Sequence, residues 1–337
     1  MRKKHFLFAS VLALLCSSST LHAQDFKLTS SGYFKNQGVD VMAFDDIYPE
    51  GHQGGVCIIM NGHRVATNGD IRLEATPGQW QPVPKQLDRK LGDNSITATL
   101  CYPDSSRHLT GFNPMIYPDL HLIYTVNVES KGKNIEVTVD LDRPIPQEFI
   151  GKVGFNLEFF PGSLFGKPWI MDGQSGIFPQ QPNSPLMTTQ PNYLHTGNYH
   201  DGKKSLADMD KLIGKGYSPI VADDIISEPY AKGTKFTSRP DDPYNKVTIE
   251  SLSGDLQLFD GRMNHNNGWF VLRSNIKPGV TKGAVKWIIT PNVVADWMYQ
   301  PVIQTSQIGY HPTQDKEAVI EMDIRDNRKE TAQIIRI

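Results

Sequence analysis

"LHLIYTVNVESKGKNIEVTVDLD", residues 120–142, decides the fold class. Leu122, Tyr124, Val126 and Val128 alternate with Ile123, Thr125, Asn127 and Glu129. After Lys131-Gly132-Lys133-Asn134, Ile135, Val137, Val139 and Leu141 alternate with Glu136, Thr138 and Asp140. A period of two on both sides of a Gly-containing turn is the pattern of a β-hairpin with one face buried. The same period recurs outward from it, in 55–60 (GVCIIM), 70–75 (DIRLEA), 96–102 (ITATLCY) and 153–160 (VGFNLEFF). It continues in 246–251 (KVTIES), 255–260 (DLQLFD), 269–274 (WFVLRS) and 283–290 (GAVKWIIT). Only 204–216 (KSLADMDKLIGKG) has helical spacing, and it ends at glycines. So many strands with so little helix exclude a doubly wound sheet and predict an all-β, large antiparallel sandwich.

The ends of the chain carry different signals. Arg2, Lys3, Lys4 and His5 precede an apolar run from Phe6 to Cys16, too short for a stable membrane anchor. Leu21-His22-Ala23 then fits a signal-peptidase site, so residues 1–23 are expected to be a signal peptide and the mature chain to start at Gln24. Lipidation of Cys16 is the weaker alternative, because Ala13-Leu14-Leu15 lacks the small residue expected before a lipidated cysteine. The protein is therefore expected to be exported: periplasmic, at the cell surface or secreted. Removing Arg2, Lys3 and Lys4 from the 34 basic residues leaves 31 against 36 acidic ones. That mild negative balance gives no reason to expect nucleic acid, and no later stretch is apolar enough to insert in a membrane. Cys57 and Cys101 remain, and an oxidised compartment permits a disulfide between them. Two buried thiols on strands are the equal alternative.

The large domain is expected over 24–300. Its size and strand density resemble, in general character, the supersandwich of galactose-mutarotase-like proteins. A second piece follows at 301–337, where Gly309 and Pro312 make a turn and Tyr310 can pack across a domain seam. Ala318, Ile320, Met322 and Ile324 then alternate with more polar neighbours. From the pattern alone this is either a last hairpin of the sandwich or the start of another domain. The residues favour the second. "SQIGYHPTQDKEAVI", 306–320, resembles the opening of the immunoglobulin-like domain of family-9, cellulase-type glycoside hydrolases, which reads Asn-Gln-x-Gly-Tyr-x-Pro and then Lys-x-Ala-Val. Gln307, Gly309, Tyr310, Pro312, Lys316, Ala318 and Val319 match, and Ser306 replaces the usual Asn. The resemblance implies an incomplete immunoglobulin-like domain at 301–337, with a catalytic barrel beyond it in the full-length protein. The catalytic carboxylates of the family belong to that barrel, and no position here matches their motifs. Asp223 and Asp224 read as loop residues.

Carbohydrate sites pair aromatic faces with Asn, Asp, His and Gln, because sugars present apolar C–H faces and a rim of hydroxyls. Three segments have that composition: 166–173 (GKPWIMDG), 192–200 (NYLHTGNYH) and 261–270 (GRMNHNNGWF). They make Trp169, Asp172, Tyr193, His195, Tyr199, His200, His265 and Trp269 the candidate carbohydrate-binding residues. Gln307, Gly309, Tyr310 and Pro312 form the candidate domain junction. Glu158, an acid between apolar residues, points either inward or to the solvated face. The expected partner is a polysaccharide or oligosaccharide, with β-glucan among the candidates. No cofactor or metal is expected, since nucleotide, zinc and calcium motifs are missing from the sequence. Three functions stay open: the non-catalytic N-terminal part of a family-9-like hydrolase, a stand-alone glycan-binding protein, or a mutarotase- or lyase-like enzyme using the loop histidines.

Overall fold

The computed structural model describes residues 25–46, 54–74, 77, 84–106, 119–182, 186–187, 226–264, 268–327, 333 and 335. Among these, two nine-stranded antiparallel sheets dominate. The first sheet runs, in spatial order, Lys27–Leu28, Phe34–Asn36, Val39–Ala43, Val56–Met60, His63–Leu73, Val153–Phe159, Phe270–Asn275, Leu256–Asp260 and Ala231–Gly233. The second runs Gln174–Ile177, Pro168–Met171, Lys235–Ser238, Val247–Ser251, Val285–Pro291, Asn134–Leu141, Leu122–Lys131, Ser95–Tyr102 and Lys85–Leu91. The protein is an all-β sandwich, as the alternation predicts. No described helix is long and apolar enough to cross a membrane.

The 120–142 hairpin forms as expected, with Lys131 paired to Asn134 across a two-residue turn. Its alternation becomes burial: Leu122, Tyr124, Val126 and Val128 are buried, as are Ile135, Val137, Val139 and Leu141. Tyr124, Val126 and Val128 oppose Leu141, Val139 and Val137 across the pair, so one face of the second sheet is apolar and meets the first sheet. Trp287 ties the two sheets together. Its ring meets Phe155 edge-to-face at 5.0 Å, and its indole N–H donates to Ser274 Oγ at 3.0 Å. Cys57 and Cys101 lie on different sheets as free thiols.

The strands missed by periodicity are mostly short or at an edge. Lys85–Leu91 is exposed at nearly every position and carries no apolar face to detect. His63–Leu73 is longer than the 70–75 run because Asn68, at φ 55°, and Gly69 form a bulge that breaks its alternation.

Val302–Thr305 and Ala318–Glu321 pair with each other in a separate two-stranded sheet rather than joining either face of the sandwich. Gly309, at φ 81°, shapes the connecting loop. The Tyr310 hydroxyl accepts from Ser306 N–H at 3.1 Å and donates to the Glu317 carbonyl, so its ring closes this loop and does not reach the sandwich. The Lys316 ammonium donates to the Pro312 and Gln314 carbonyls at 2.8 and 2.6 Å. The 307–319 residues that resemble a family motif are therefore the builders of one hairpin loop.

Candidate functional site

The expected carbohydrate platform is not assembled from its described members. Trp169 is only 6% exposed and belongs to the apolar core, so it presents no ring to a ligand. Asp172 holds a left-handed turn at φ 49°, where its carboxylate accepts from the Thr234 and Lys235 backbone N–H groups at 2.8 and 3.0 Å. That is turn chemistry, and both oxygens are engaged. Trp269 is half-buried and packs edge-to-face on Phe160 at 4.5 Å. Tyr193, His195, Tyr199, His200 and His265 lie outside the described residues, as do residues 1–23, the 204–216 segment, Asp223 and Asp224. The described sequence around His265 is also structural. Arg262 pairs with the fully buried Asp260 at 2.8 Å and sits 4.6 Å from the Phe270 ring centroid.

A polar layer crosses the middle of the first sheet. Asp70, Asn156 and Arg273 stand in register on three adjacent strands, and all are buried. The Arg273 guanidinium donates to Glu74 Oε1 at 3.2 Å, Asn156 Oδ1 at 2.9 Å, Asn275 Oδ1 at 2.7 Å and the Lys152 carbonyl at 2.7 Å. The Asn156 amide returns a bond to Glu74 Oε1 at 2.6 Å. Gly154 is required beneath this group, because a Cβ there would lie 2.8 Å from Arg273 Nε and 2.7 Å from the Ser274 carbonyl. Tyr124 donates to Asp70 Oδ1 at 2.8 Å, and burial with the Asp70 charge holds its phenol well above the usual range. Glu158 is buried too, accepting from the Asn68 amide at 2.6 Å. Its strand is covered on both faces, so neither the inward nor the solvated reading of Glu158 fully applies. Apart from Asn68 Oδ1, which has no partner among the described residues, this layer is a hydrogen-bonded network, and its chemistry is cohesion.

The open site lies at the seam between the sandwich edge and the 297–325 segment. Cross-strand register puts Lys27, Lys35, Asp40 and Ile59 side by side on four successive strands, forming a floor. Trp297, Tyr299, Asp323 and Arg325 make the opposite wall of a cleft of about 720 Å³, within the usual size of a small-ligand site. The wall is fastened in place. The Trp297 carbonyl accepts from the Gln37 side chain at 2.5 Å and from Arg325 at 2.7 Å. Asp323 accepts from Tyr299 N–H at 3.0 Å and from Arg325 at 2.7 Å, and these donors hold its carboxyl below the usual carboxylate range. The Trp297 ring lies against Gly38, whose φ is 66°, and Tyr299 meets that ring at 73° with 6.3 Å between centroids. Asp40 is the exposed question in this floor. Its Oδ1 is buried and has no hydrogen-bond partner among the described residues, and burial pushes its carboxyl up while Lys35 draws it down.

Two expected results follow for these residues. Gly38→Val would force a β-branched residue into the left-handed region and drive its Cβ to within 2.7 Å of Trp297 Cε3. It should cost about 2 kcal/mol, shared between the seam and the Asn36–Val39 turn of the sandwich, and read as faster proteolysis within 297–325 with a lower melting temperature. Asp40, whose folded carboxyl is raised, opposes folding when ionised, and the cost disappears as pH falls through that raised value. Asp40→Asn should therefore melt no lower than the native protein at neutral pH.

Sequence reading missed Asp40, Trp297 and Tyr299. "ADWMYQP", 295–301, carries a signal that could have found two of them: aromatic residues two apart just before the Gly309 loop. No protein-family model matches the chain, and no curated protein matches it. Solved structures similar in fold include a protein from Synechocystis sp. PCC 6803, at 11% identity and TM-score 0.32, covering 80% of this chain and 96% of that one. Another is a galactose mutarotase related enzyme from Lactobacillus acidophilus, at 10% identity and TM-score 0.32, covering 77% and 96%. Likeness at this level leaves the functional argument to the residues of this chain.

Proposed function

We propose that this chain is the exported, non-catalytic N-terminal part of a polysaccharide-degrading, family-9-like glycoside hydrolase. In this reading the sandwich orients a following catalytic apparatus and engages glycan itself. The observation that carries it is the fastened seam. The hairpin bearing Gln307, Gly309, Tyr310 and Pro312 leaves the sandwich through Trp297 and Tyr299, which are fixed by Gly38, Gln37 and the Asp323–Arg325 pair. A joint held to the sandwich at Gln37 and Gly38 and braced within itself by Asp323 and Arg325 is suited to holding two bodies at a set angle, whereas a flexible tether needs no such contacts. The separate 302–321 hairpin also has exposed Ile303, Val319 and Ile320, which further strands would cover.

A second reading, a stand-alone glycan-binding protein, is favoured by the cleft, where Trp297 and Tyr299 face polar residues of the floor. Both readings predict affinity for polysaccharide. Affinity electrophoresis through mixed-linkage glucan, xyloglucan, glucomannan and xylan, with sedimentation on insoluble cellulose, tests them together. Retardation or co-sedimentation is expected, and uniform failure across that panel removes glycan engagement from the proposal. To separate the two, the chain would be joined to a family-9 catalytic domain, and activity on insoluble glucan compared between native and Gly38→Val seams. An unchanged rate would argue for the stand-alone reading.

A further inference from the structure

We propose that the seam cleft is a binding site for a neutral oligosaccharide, with Trp297 as its apolar platform and Asp40 as the acceptor of sugar hydroxyls. This deepens the glycan reading and rests on it. The ligand class follows from what the cleft lacks. Asp40 lines the cleft, and its Oδ1 has no donor among the described residues; that oxygen is shielded as the cleft stands, so a ligand hydroxyl meets it once the carboxylate turns towards the opening. A neutral sugar brings hydroxyl donors together with a C–H face for an aromatic ring. A uronide would instead bring another carboxylate towards Asp40. The lining carries both signs, Asp25, Asp40 and Glu321 together with Lys27 and Lys35, so a ligand of either charge meets like charge and the cleft favours a neutral one.

The other charged groups on the wall already have partners, Glu321 accepting from the Gln304 side chain at 2.9 Å. Asp323 and Arg325 are engaged with each other and with the backbone of Tyr299 and Trp297. The Trp297 ring, backed by Gly38, is already oriented before any ligand arrives, which lowers the ordering cost of binding. The volume, about 720 Å³, is enough for a short stretch of a glycan rather than a single small ion. The floor residues come from consecutive strands and the wall from a segment more than 230 positions later in the chain, so the site exists only where the two meet.

Isothermal titration of the full chain with cello-, xylo- and manno-hexaose tests the proposal, with oligogalacturonate and chitosan hexamer as charged comparators. The native protein is expected to bind at least one neutral hexamer. Asp40→Ala should weaken that binding tenfold or more and Asp40→Asn several-fold, with melting temperatures at or above native for the Asn variant. Trp297→Phe should weaken it as well, while keeping a ring at the seam. Affinities within twofold of native for both Asp40 variants, alongside retained binding to polysaccharide, would overturn this site and leave the glycan reading standing. Binding confined to oligogalacturonate or to chitosan would overturn the neutral class. No binding to any hexamer or polysaccharide would overturn the site and the glycan reading together.

Discussion

Replacing Arg273 with methionine is expected to lower folding stability by about 3–5 kcal/mol, the usual cost of breaking a buried ion pair from one side. The side chain is 2% exposed, as is its partner Glu74, and no water can take over the lost bonds. Glu74 would keep the Asn156 amide and the field of Arg72 but lose the guanidinium bonded to it. Asn156 Oδ1, Asn275 Oδ1 and the Lys152 carbonyl would each lose a charge-assisted donor as well. Urea denaturation followed by far-ultraviolet circular dichroism measures the loss. Arg273→Lys should recover little of it, because an ammonium cannot lie flat over Gly154 and reach four acceptors at once. The pair Glu74→Gln with Arg273→Met should recover a substantial part, since it removes the carboxylate charge that lost its bonded guanidinium. If the single methionine variant unfolds within about 1 kcal/mol of native, the layer is less dry than its burial indicates.

Trp287→Ala is expected to cost about 3–5 kcal/mol, the range for deleting a large aromatic side chain from a packed core. Trp287 is 1% exposed and is the largest fully buried side chain in the sandwich. It rises from the second sheet to meet Phe155 and Ser274 on the first, so its removal opens a void between the layers and cuts a bond across them. Ser274 Oγ would still donate to the Asp255 carbonyl at 3.1 Å, which places most of the cost in lost packing. Trp287→Phe should therefore be much milder than Trp287→Ala in the same urea titration. Equal losses for the two would shift the weight onto the indole hydrogen bond. Trp287 does not line the seam cleft, so a folded fraction of either variant should keep the glycan affinity proposed for that cleft.

The sandwich was legible because several of its long strands are half-buried. Leu122–Lys131 and Asn134–Leu141 alternate strictly in sequence and in burial, so period two reports their fold directly. The central strand Val153–Phe159 looked like the rest of that pattern but is covered on both sides, and Glu158 therefore found a buried polar partner in Asn68. Alternation describes a strand with one wet face and cannot register a second cover. The described members of the predicted platform failed for a related reason. Composition marked Trp169 and Asp172 as sugar-like residues, yet an indole also plugs a core and a short carboxylate also closes a turn.

By itself the sequence determined the class of the fold, the identity of most long strands, and a distinctive loop around Gly309 and Tyr310. Those features are local: hydrophobic period, turn chemistry and short motifs act over a few residues. Only the tertiary structure decided where the candidate site lies. Asp40 becomes notable because four edge strands align it with Lys27, Lys35 and Ile59, and because Trp297 and Tyr299 return to that edge from far along the chain. An acceptor without a donor is a property of that meeting, set by burial and geometry that no single segment contains.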